Sequence, residues 1–235
     1  MTVVVMAYNE AVTLPAVVDE LAGALQSLGR PWEMVIVDDG STDGTGAGAD
    51  RLAATRPRVR VIHHPVNLGL GGVYRTGFGA ARGRHVTFFP ADGQFPATIL
   101  AEFRTAIESA DLVLGTLPDR RGTPVSKLLS WLERSLYRVL LGPMPRFQGI
   151  LMFRRVLLEG MDLRSEGRGW AVLMEFILRA ARDGARVVNR PTSVRPRTAG
   201  YSKVNNLRTI LANLRQVVAL RRNLRPTAGG ARRGG

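Results

Sequence analysis

The chain of 235 residues contains no cysteine, which excludes disulfides, thiolate zinc sites, iron–sulfur clusters and a cysteine nucleophile. It has no run of about 18 or more apolar residues, so we predict no membrane-spanning helix. The apolar start at Met1 lacks the basic region and small-residue cleavage site of a signal peptide. We therefore expect a cytoplasmic protein in which any metal is bound by oxygen or imidazole ligands.

Acidic and aromatic residues are also scarce. The 33 Lys and Arg residues outnumber the 19 Asp and Glu residues, for a formal net charge of +14. Such a surface attracts polyanions, whether nucleic acid, anionic lipid headgroups or phosphate-bearing small molecules. Aromatic residues make up only 6% of the chain and do not interleave with the basic runs, unlike in single-strand binders. We therefore expect no nucleic-acid partner.

Apolar runs alternate with helical patterns over the first 115 residues, which is typical of a parallel sheet with crossover helices. The runs predict an α/β fold with an open, doubly wound, mainly parallel sheet. Predicted strands span residues 2–7, 33–37, 59–63, 85–89 and 112–114. Predicted helical segments span residues 14–28, 50–54, 73–81 and 96–107.

Beyond Pro118 the pattern becomes mostly helical. The predicted elements are helices over 125–141, about 170–183 and 204–222, and a strand over 186–189. The first and last of these helices are basic and amphipathic, so each could lie on a membrane surface or pack against the domain. We predict a domain over 1–203, a C-terminal basic amphipathic helix over 204–225 and a disordered tail over 226–235.

Acidic residues follow two of the predicted strands. Asp38 and Asp39 precede a Gly-, Ser- and Thr-rich loop, and Asp92 stands before Gly93 and Gln94. Ligands of open α/β sheets bind beyond the carboxyl ends of the strands. Capping of turns and helix starts is the alternative role for a single such Asp, but two glycine-flanked acidic loops favour a ligand site. Asp92 and the Gln94 carbonyl offer oxygens that suit a hard divalent cation.

Four motifs occur in an order that resembles the family 2 glycosyltransferases. They are residues 4–10 (VVMAYNE), 37–45 (VDDGSTDGT), 67–72 (NLGLGG) with Arg75-Thr76-Gly77, and 91–94 (ADGQ). A fifth motif, residues 196–203 (PRTAGYSK), is similar to a late loop of the dolichyl- or polyprenyl-phosphate mannosyl- and glucosyltransferases. The resemblance covers residues 2–115 and resumes at this loop.

This resemblance implies a GT-A fold and assigns roles by motif. The residues implied to bind the nucleotide sugar are Ala7, Tyr8, Glu10, Asp38, Asp39 and Asp92. Asp92 and Gln94 would hold Mg²⁺ or Mn²⁺ on the diphosphate, which lowers the charge on the leaving group. The residues implied to bind the acceptor or diphosphate are Lys127, Arg197, Ser202 and Lys203. The late loop could alternatively be only a solvated turn before a helix.

Three positions depart from the family pattern. Pro90 stands where the usual D-x-D metal motif has its first carboxylate. Gly115-Thr116-Leu117 replaces a G-S-R pattern, and Arg120, Arg121 and Lys127 are candidates to supply the missing charge. Residues 145–150 (PRFQGI) lack an acidic residue that relatives often carry before the turn in this part of the chain. These changes leave the donor and the acceptor open and allow a catalytically altered paralogue.

The leading hypothesis is an inverting transfer of a hexose from a GDP- or UDP-sugar to polyprenyl phosphate, by an enzyme peripheral to the inner face of the membrane. A phosphate acceptor is already anionic and needs no strong base, whereas a hydroxyl acceptor does. The alternative acceptor is a hydroxyl of a glycan or secondary metabolite, and for it Glu175 is the candidate catalytic base. Glu175 could instead be only an acid at the polar edge of its helix. The three histidines are predicted to be structural, and a homo-oligomer is compatible with the sequence.

Overall fold

The computed structural model of the protein describes residues 1–117, 138–195 and 218–224. Seven strands form one sheet. They are β1 (Thr2–Ala7), β2 (Glu33–Asp38), β3 (Val59–His63), β4 (His85–Pro90), β5 (Leu112–Thr116), β6 (Leu151–Arg154) and β7 (Val187–Pro191). The helices described from start to end are α1 (Leu14–Ser27), α2 (Thr45–Ala54), α3 (Gly69–Ala80), α4 (Ile99–Ala106) and α5 (Ala171–Arg182), and a 3₁₀ turn spans Arg155–Leu158.

The sheet order is β3-β2-β1-β4-β6-β5-β7. The pairs β1–β2, β2–β3, β1–β4 and β5–β7 are parallel, and β6 runs antiparallel to both of its neighbours. The predicted mainly parallel α/β sheet is therefore confirmed. The chain builds outward from β1 to β3 and then returns to place β4 on the other side of β1. This reversal makes the carboxyl ends of β1, β2 and β4 the topological switch point, where such sheets bind ligands.

Side chains of alternating strand residues pack into two hydrophobic cores, one on each face of the sheet. Val3 and Val5 of β1 pack with α1 and α4, whereas Val4 packs with α3 and α5. Strands β1, β2, β4 and β5 are buried on both faces, which explains why they appear in the sequence as mainly apolar runs. On α1, the predicted helical stripe of Leu14, Val17, Val18, Leu21 and Leu25 is buried against the first core.

Three helix starts differ from the sequence prediction by three residues or more, and the first is that of α2, which begins at Thr45 rather than Asp50. Helix α3 begins at Gly69, four residues before the predicted start at Val73. The first turn was not predicted because its glycines have low helix propensity. Helix α4 begins at Ile99 rather than Pro96. The short strand β6 was not predicted at all. The expected helix over about 170–183 and strand over 186–189 correspond to α5 and β7.

Most of the two predicted basic amphipathic helices lies outside the described residues. Only residues 138–141 and 218–223 of these segments are described as helical. Leu141 and Leu220 are buried in the core that contains α5. Among the residues that the structure describes, no helix combines the length and the apolar character needed to cross a membrane.

Candidate active site

The strand register brings three of the predicted site loops to one edge of the sheet. Ala7 at the end of β1 lies opposite Asp38 of β2, and Met6 lies opposite Pro90 of β4. The ladder continues past the strand ends, because the Asp39 amide donates to Ala7 O at 2.9 Å and the Ala91 amide to Met6 O at 2.9 Å. The loops that follow β1, β2 and β4 therefore start side by side.

Asn9 fixes the loop after β1, here called the first loop, against the loop after β2, here called the second loop. Its φ of +56° places it in the left-handed region, where an Asn costs less than most residues. Its amide donates to Ser41 Oγ at 3.0 Å, and its side-chain oxygen accepts from the Thr42 amide at 2.9 Å. This reciprocal pair leaves the neighbouring Tyr8 ring 46% exposed. An exposed aromatic ring at a ligand edge can stack on a nucleotide base.

Asp43 and Thr45 join the same two loops one turn further on. Asp43 Oδ1 accepts from the Thr45 amide at 3.0 Å, where the chain enters α2. Its other oxygen accepts from the Ala11 amide at 3.2 Å, and Thr45 Oγ1 accepts from the Glu10 amide at 2.8 Å. Asp43 therefore supports the turn that leads into α2 and holds Ala11, whereas Thr45 holds Glu10 in the loop after β1.

Asp38 is buried and paired with a histidine from the next strand. Its Oδ2 lies 3.0 Å from His63 Nδ1, and its Oδ1 accepts from the Ser41 amide at 3.2 Å. The other ring nitrogen of His63 lies 3.0 Å from Asp50 Oδ1. Hydrogen bonds to Asp38 first, and then to Asp50, raise the pKa of His63 above its usual value. Because both of these partners accept hydrogen bonds only, the doubly protonated ring satisfies them best.

Asp39 is equally buried and holds the start of α3. Its Oδ1 accepts from His64 Nδ1 at 2.7 Å and from the Leu68 amide at 2.9 Å, while its Oδ2 accepts from the Gly69 amide at 2.8 Å. His64 Nε2 lies 2.8 Å from Thr76 Oγ1. Asp39 thus places a carboxylate at a helix N-terminus, where the free amides favour negative charge.

The glycines of α3 allow a second chain segment to approach it. A Cβ on Gly69 would lie 2.5 Å from Arg168 O, and one on Gly71 would lie 2.2 Å from Gly167 O. Glycine at these positions lets the Gly71 amide donate to Arg168 O at 3.1 Å. Arg75 of the same motif donates to Ser165 O at 2.9 Å. The motif over residues 67–77 therefore docks α3 against the loop over residues 164–169.

The residues proposed to bind a metal lie in the loop that follows β4, here called the metal loop (residues 91–97). Asp92 Oδ1 accepts from the Gln94 amide at 3.1 Å across Gly93, whose φ is +71°. The main-chain carbonyl of Gln94 accepts from the Arg195 amide at 2.7 Å. Gln94 also carries a side-chain amide oxygen, which is a second neutral oxygen donor. Pro90 occupies the last position of β4.

This donor set suits a cation that arrives with phosphate. Within residues 1–117, 138–195 and 218–224, no group of three or more His, Cys, Asp or Glu side chains could hold a metal. One carboxylate and a neutral amide oxygen are hard oxygen donors. Mg²⁺ typically binds in this way, through one or two carboxylates together with substrate phosphates and water. The metal loop therefore fits a metal–diphosphate better than a metal alone.

The family model that matches the chain is the one for glycosyl transferase family 2, over residues 2–161. The chain belongs to this family. The chain is 33% identical to an undecaprenyl-phosphate mannosyltransferase of Micrococcus luteus, over 86% of each chain. It is 33% identical to a polyprenol monophosphomannose synthase of Mycolicibacterium smegmatis, over 86% of this chain and 80% of the relative.

Solved structures confirm the GT-A type of fold for this glycosyltransferase. Glucosyl-3-phosphoglycerate synthase from Mycobacterium tuberculosis, in complex with phosphoglyceric acid, matches with a TM-score of 0.68. The match covers 97% of this chain and 81% of that one, at 23% identity. A further structure of the same synthase, with Mn²⁺, UDP and phosphoglyceric acid, matches with a TM-score of 0.67 at 23% identity.

Glu175, the predicted base for a hydroxyl acceptor, is fully buried in this glycosyltransferase. Its Oε1 accepts from the Arg164 amide at 3.2 Å and from Arg179 Nε at 2.9 Å, and its Oε2 accepts from the Ser165 amide at 2.6 Å. The expected position at the polar edge of the helix is therefore wrong. With both oxygens engaged by the protein, Glu175 has the environment of a structural anchor for the loop that docks on α3. A role as base stays a prediction.

All four residues predicted to bind the acceptor or diphosphate lie outside the described residues. These are Lys127, Arg197, Ser202 and Lys203. The chain can be followed toward the late loop as far as Arg195. Thr192 donates its amide to Thr116 O at 2.8 Å beyond the end of β7, and Arg195 then reaches Gln94. Arg195 therefore lies directly beside the metal loop, two residues before Arg197.

The pairing of His63 with Asp38 and of His64 with Asp39 was missed in the sequence. The prediction that these histidines are structural did not identify their partners. The signal was present, because an Asp doublet ends one strand and a His doublet ends the next. Asp38 and His63 are register partners in the parallel pair β2–β3, which brings the two doublets together.

Proposed function

We propose that the protein transfers a hexose from a GDP- or UDP-sugar to polyprenyl phosphate, with inversion at the anomeric carbon. Two relatives, each 33% identical, are named an undecaprenyl-phosphate mannosyltransferase and a polyprenol monophosphomannose synthase. The observation that carries the proposal is the arrangement of the loops after β1, β2 and β4 at one edge of the sheet. Main-chain hydrogen bonds join the starts of these loops side by side, and Tyr8, Asp39 and Asp92 are proposed to line one donor-binding pocket there.

The donor would be held in two parts. Ala7, Tyr8 and Glu10 of the first loop, with Asp38 and Asp39 of the second, are proposed to contact the base and ribose. Mg²⁺ or Mn²⁺ held by Asp92 and Gln94 would neutralise charge on the nucleoside diphosphate as it leaves. A direct displacement, in which the acceptor oxygen bonds to the anomeric carbon as the carbon–diphosphate bond breaks, inverts that carbon.

The environment of Glu175 supports a phosphate acceptor over a hydroxyl. A lipid phosphate oxygen is already anionic at neutral pH, so its attack needs positioning and charge neutralisation rather than proton removal. Glu175 accepts hydrogen bonds from Arg164, Ser165 and Arg179 and is fully buried, which does not suit removal of a proton from an acceptor. The soluble alternative, transfer to a glycan or secondary-metabolite hydroxyl, requires such a base.

The proposed location is the inner face of the membrane, with the protein bound peripherally. The net charge of +14 would attract anionic lipid headgroups, and juxtamembrane basic residues each contribute about 1 kcal/mol to such binding. Lys127, Arg197, Ser202 and Lys203 are proposed to contact the acceptor or donor phosphates. A homo-oligomer is compatible with this arrangement and is not required by it.

A panel of GDP- and UDP-sugars tests the reaction class. Each donor is incubated with Mg²⁺ or Mn²⁺ and with polyprenyl phosphate in detergent, and release of nucleoside diphosphate is measured. Free polyprenol of the same chain length is the matched control, because it offers a hydroxyl in place of the phosphate. We expect one donor to give release that depends on polyprenyl phosphate and not on polyprenol. Release that depends on polyprenol or on a soluble sugar would favour the alternative.

A further inference from the structure

Glu20, on the outer side of α1, belongs to none of the motifs, yet it contacts two segments of the site. Its Oε1 accepts from the Ala97 amide at 3.0 Å, at the end of the metal loop. Its two oxygens also accept from the two terminal nitrogens of Arg195, each at 2.8 Å. Two parallel N–H···O bonds of this kind fix the relative orientation of both side chains, not only their distance.

Arg195 completes a closed ring of contacts around the metal loop. Its own amide donates to the main-chain carbonyl of Gln94 at 2.7 Å. The ring therefore runs from Glu20 to Arg195, to Gln94, along the loop to Ala97, and back to Glu20. Asp92 lies two residues before Gln94 and is joined to it by the 3.1 Å bond from the Gln94 amide. The pose of Asp92 thus depends on a loop that is held from outside at two points.

The ion pair between Glu20 and Arg195 in this ring contributes little to global stability. The Glu20 and Arg195 side chains are 37% and 49% exposed, and exposed pairs are typically worth about 0–1 kcal/mol. The hydrogen bond from Arg195 lowers the pKa of Glu20 despite some burial, so the pair stays ionised near neutral pH. A pair with these properties is better suited to fixing geometry than to holding the fold together.

We propose that Glu20 and Arg195 are positioning residues, which set the pose of Asp92 and Gln94 toward a metal–diphosphate. This inference rests on the proposed function, in which the metal loop binds the cation. The loop offers a single carboxylate, because Pro90 stands at the other expected position. A small displacement of the loop therefore withdraws the whole of its negative charge from the cation, and no second carboxylate compensates.

Binding of nucleoside diphosphate with and without Mn²⁺ separates this role from a structural one. The variants are E20Q, R195Q and the double variant, and calorimetric titration uses the diphosphate of the preferred donor. We expect each single variant to reduce the Mn²⁺-dependent gain in affinity by about 3- to 10-fold. Affinity without metal and the melting temperature should stay close to wild type. The double variant should lose no more than the worse single variant, because the two residues act as one unit.

Asp19 gives a matched control on the same helix. It precedes Glu20 in sequence and pairs with Arg56 at 2.6 Å, away from the metal loop. D19N should bind Mn²⁺ and nucleotide like wild type. Wild-type affinities in E20Q and R195Q, additive losses in the double variant, or no Mn²⁺-dependent gain in the wild type would each overturn the inference. These readouts need no acceptor, so failure of the lipid-phosphate assay alone would count against the proposed function only.

Discussion

At the residue scale, the site depends on side chains that bind each other before they bind any ligand. Asp38 and Asp39 are buried, and their oxygens accept hydrogen bonds from His63, His64 and the start of α3. An ionised carboxylate is costly to bury unless such donors surround it. The histidines therefore stabilise the two buried aspartates, each in one fixed orientation at this edge of the sheet.

His63 predicts a pH dependence of stability. Its pKa is raised in the folded protein by Asp38 and Asp50, so the folded state holds this proton more tightly than the unfolded state. Its stabilising contribution is fully present below the unfolded pKa of about 6.5 and is lost as pH rises through the folded pKa. H63Q should therefore lower the free energy of unfolding most below pH 6.5 and progressively less above it.

Urea denaturation of wild type and H63Q between pH 5.5 and 9 measures this difference. D50N serves as the partial variant, because it removes one of the two carboxylates and leaves the contact with Asp38. We expect D50N to show the same trend with a smaller amplitude. A difference between wild type and H63Q that does not change with pH would contradict the assignment.

At the element scale, Glu175 connects α5 to the loop that docks on α3. Its carboxylate accepts hydrogen bonds from the amides of Arg164 and Ser165. Arg75 of α3 donates to the main-chain carbonyl of the same Ser165. Asn223, in the described segment near the C-terminus, accepts from Arg179 through its carbonyl at 2.8 Å. Glu175 is thus linked through Ser165 to α3 and through Arg179 to the segment near the C-terminus.

Replacing Glu175 by Gln distinguishes an anchor from a base. Gln keeps the shape but weakens the pairing with Arg179, so we expect a loss of about 2–4 kcal/mol in unfolding free energy. Turnover with polyprenyl phosphate should stay within about threefold of wild type, well below the melting temperature. General bases typically contribute about 10²- to 10⁴-fold. A loss of that size in kcat, with stability intact, would show that Glu175 acts as a base.

Much of this architecture was predictable from sequence, and the failures share a cause. Strands β1, β2, β4 and β5 were identified because buried strands of a mainly parallel sheet form mainly apolar runs. Strand β6 was missed because its four residues form a short run whose antiparallel partners are distant in sequence. The contacts of Glu20 were missed for the same reason, because its donors Ala97 and Arg195 lie far along the chain. The donors to Glu175 are close in sequence, but its burial depends on the packing of the loop over residues 164–169 against α3, which local patterns do not encode.

At the scale of the whole molecule, the charge of +14 predicts binding to anionic membranes. Vesicles with about 30% phosphatidylglycerol should retain the protein at low ionic strength, whereas uncharged phosphatidylcholine vesicles should not. Binding should weaken steeply between about 0.05 and 0.5 M salt, since the Debye length falls over this range. Co-sedimentation measures the bound fraction. Equal binding to both vesicle types would contradict an electrostatic attachment.

In the proposed function, one edge of the sheet binds a nucleotide sugar through a cation at Asp92, and the hexose is transferred to a lipid phosphate. The most direct test is the rate of acceptor-dependent nucleoside diphosphate release by wild type and D92N, with Mn²⁺ and the preferred donor. We predict that wild type needs both Mn²⁺ and polyprenyl phosphate, and that D92N is at least about 100-fold slower. Turnover by D92N at the wild-type rate would contradict the account.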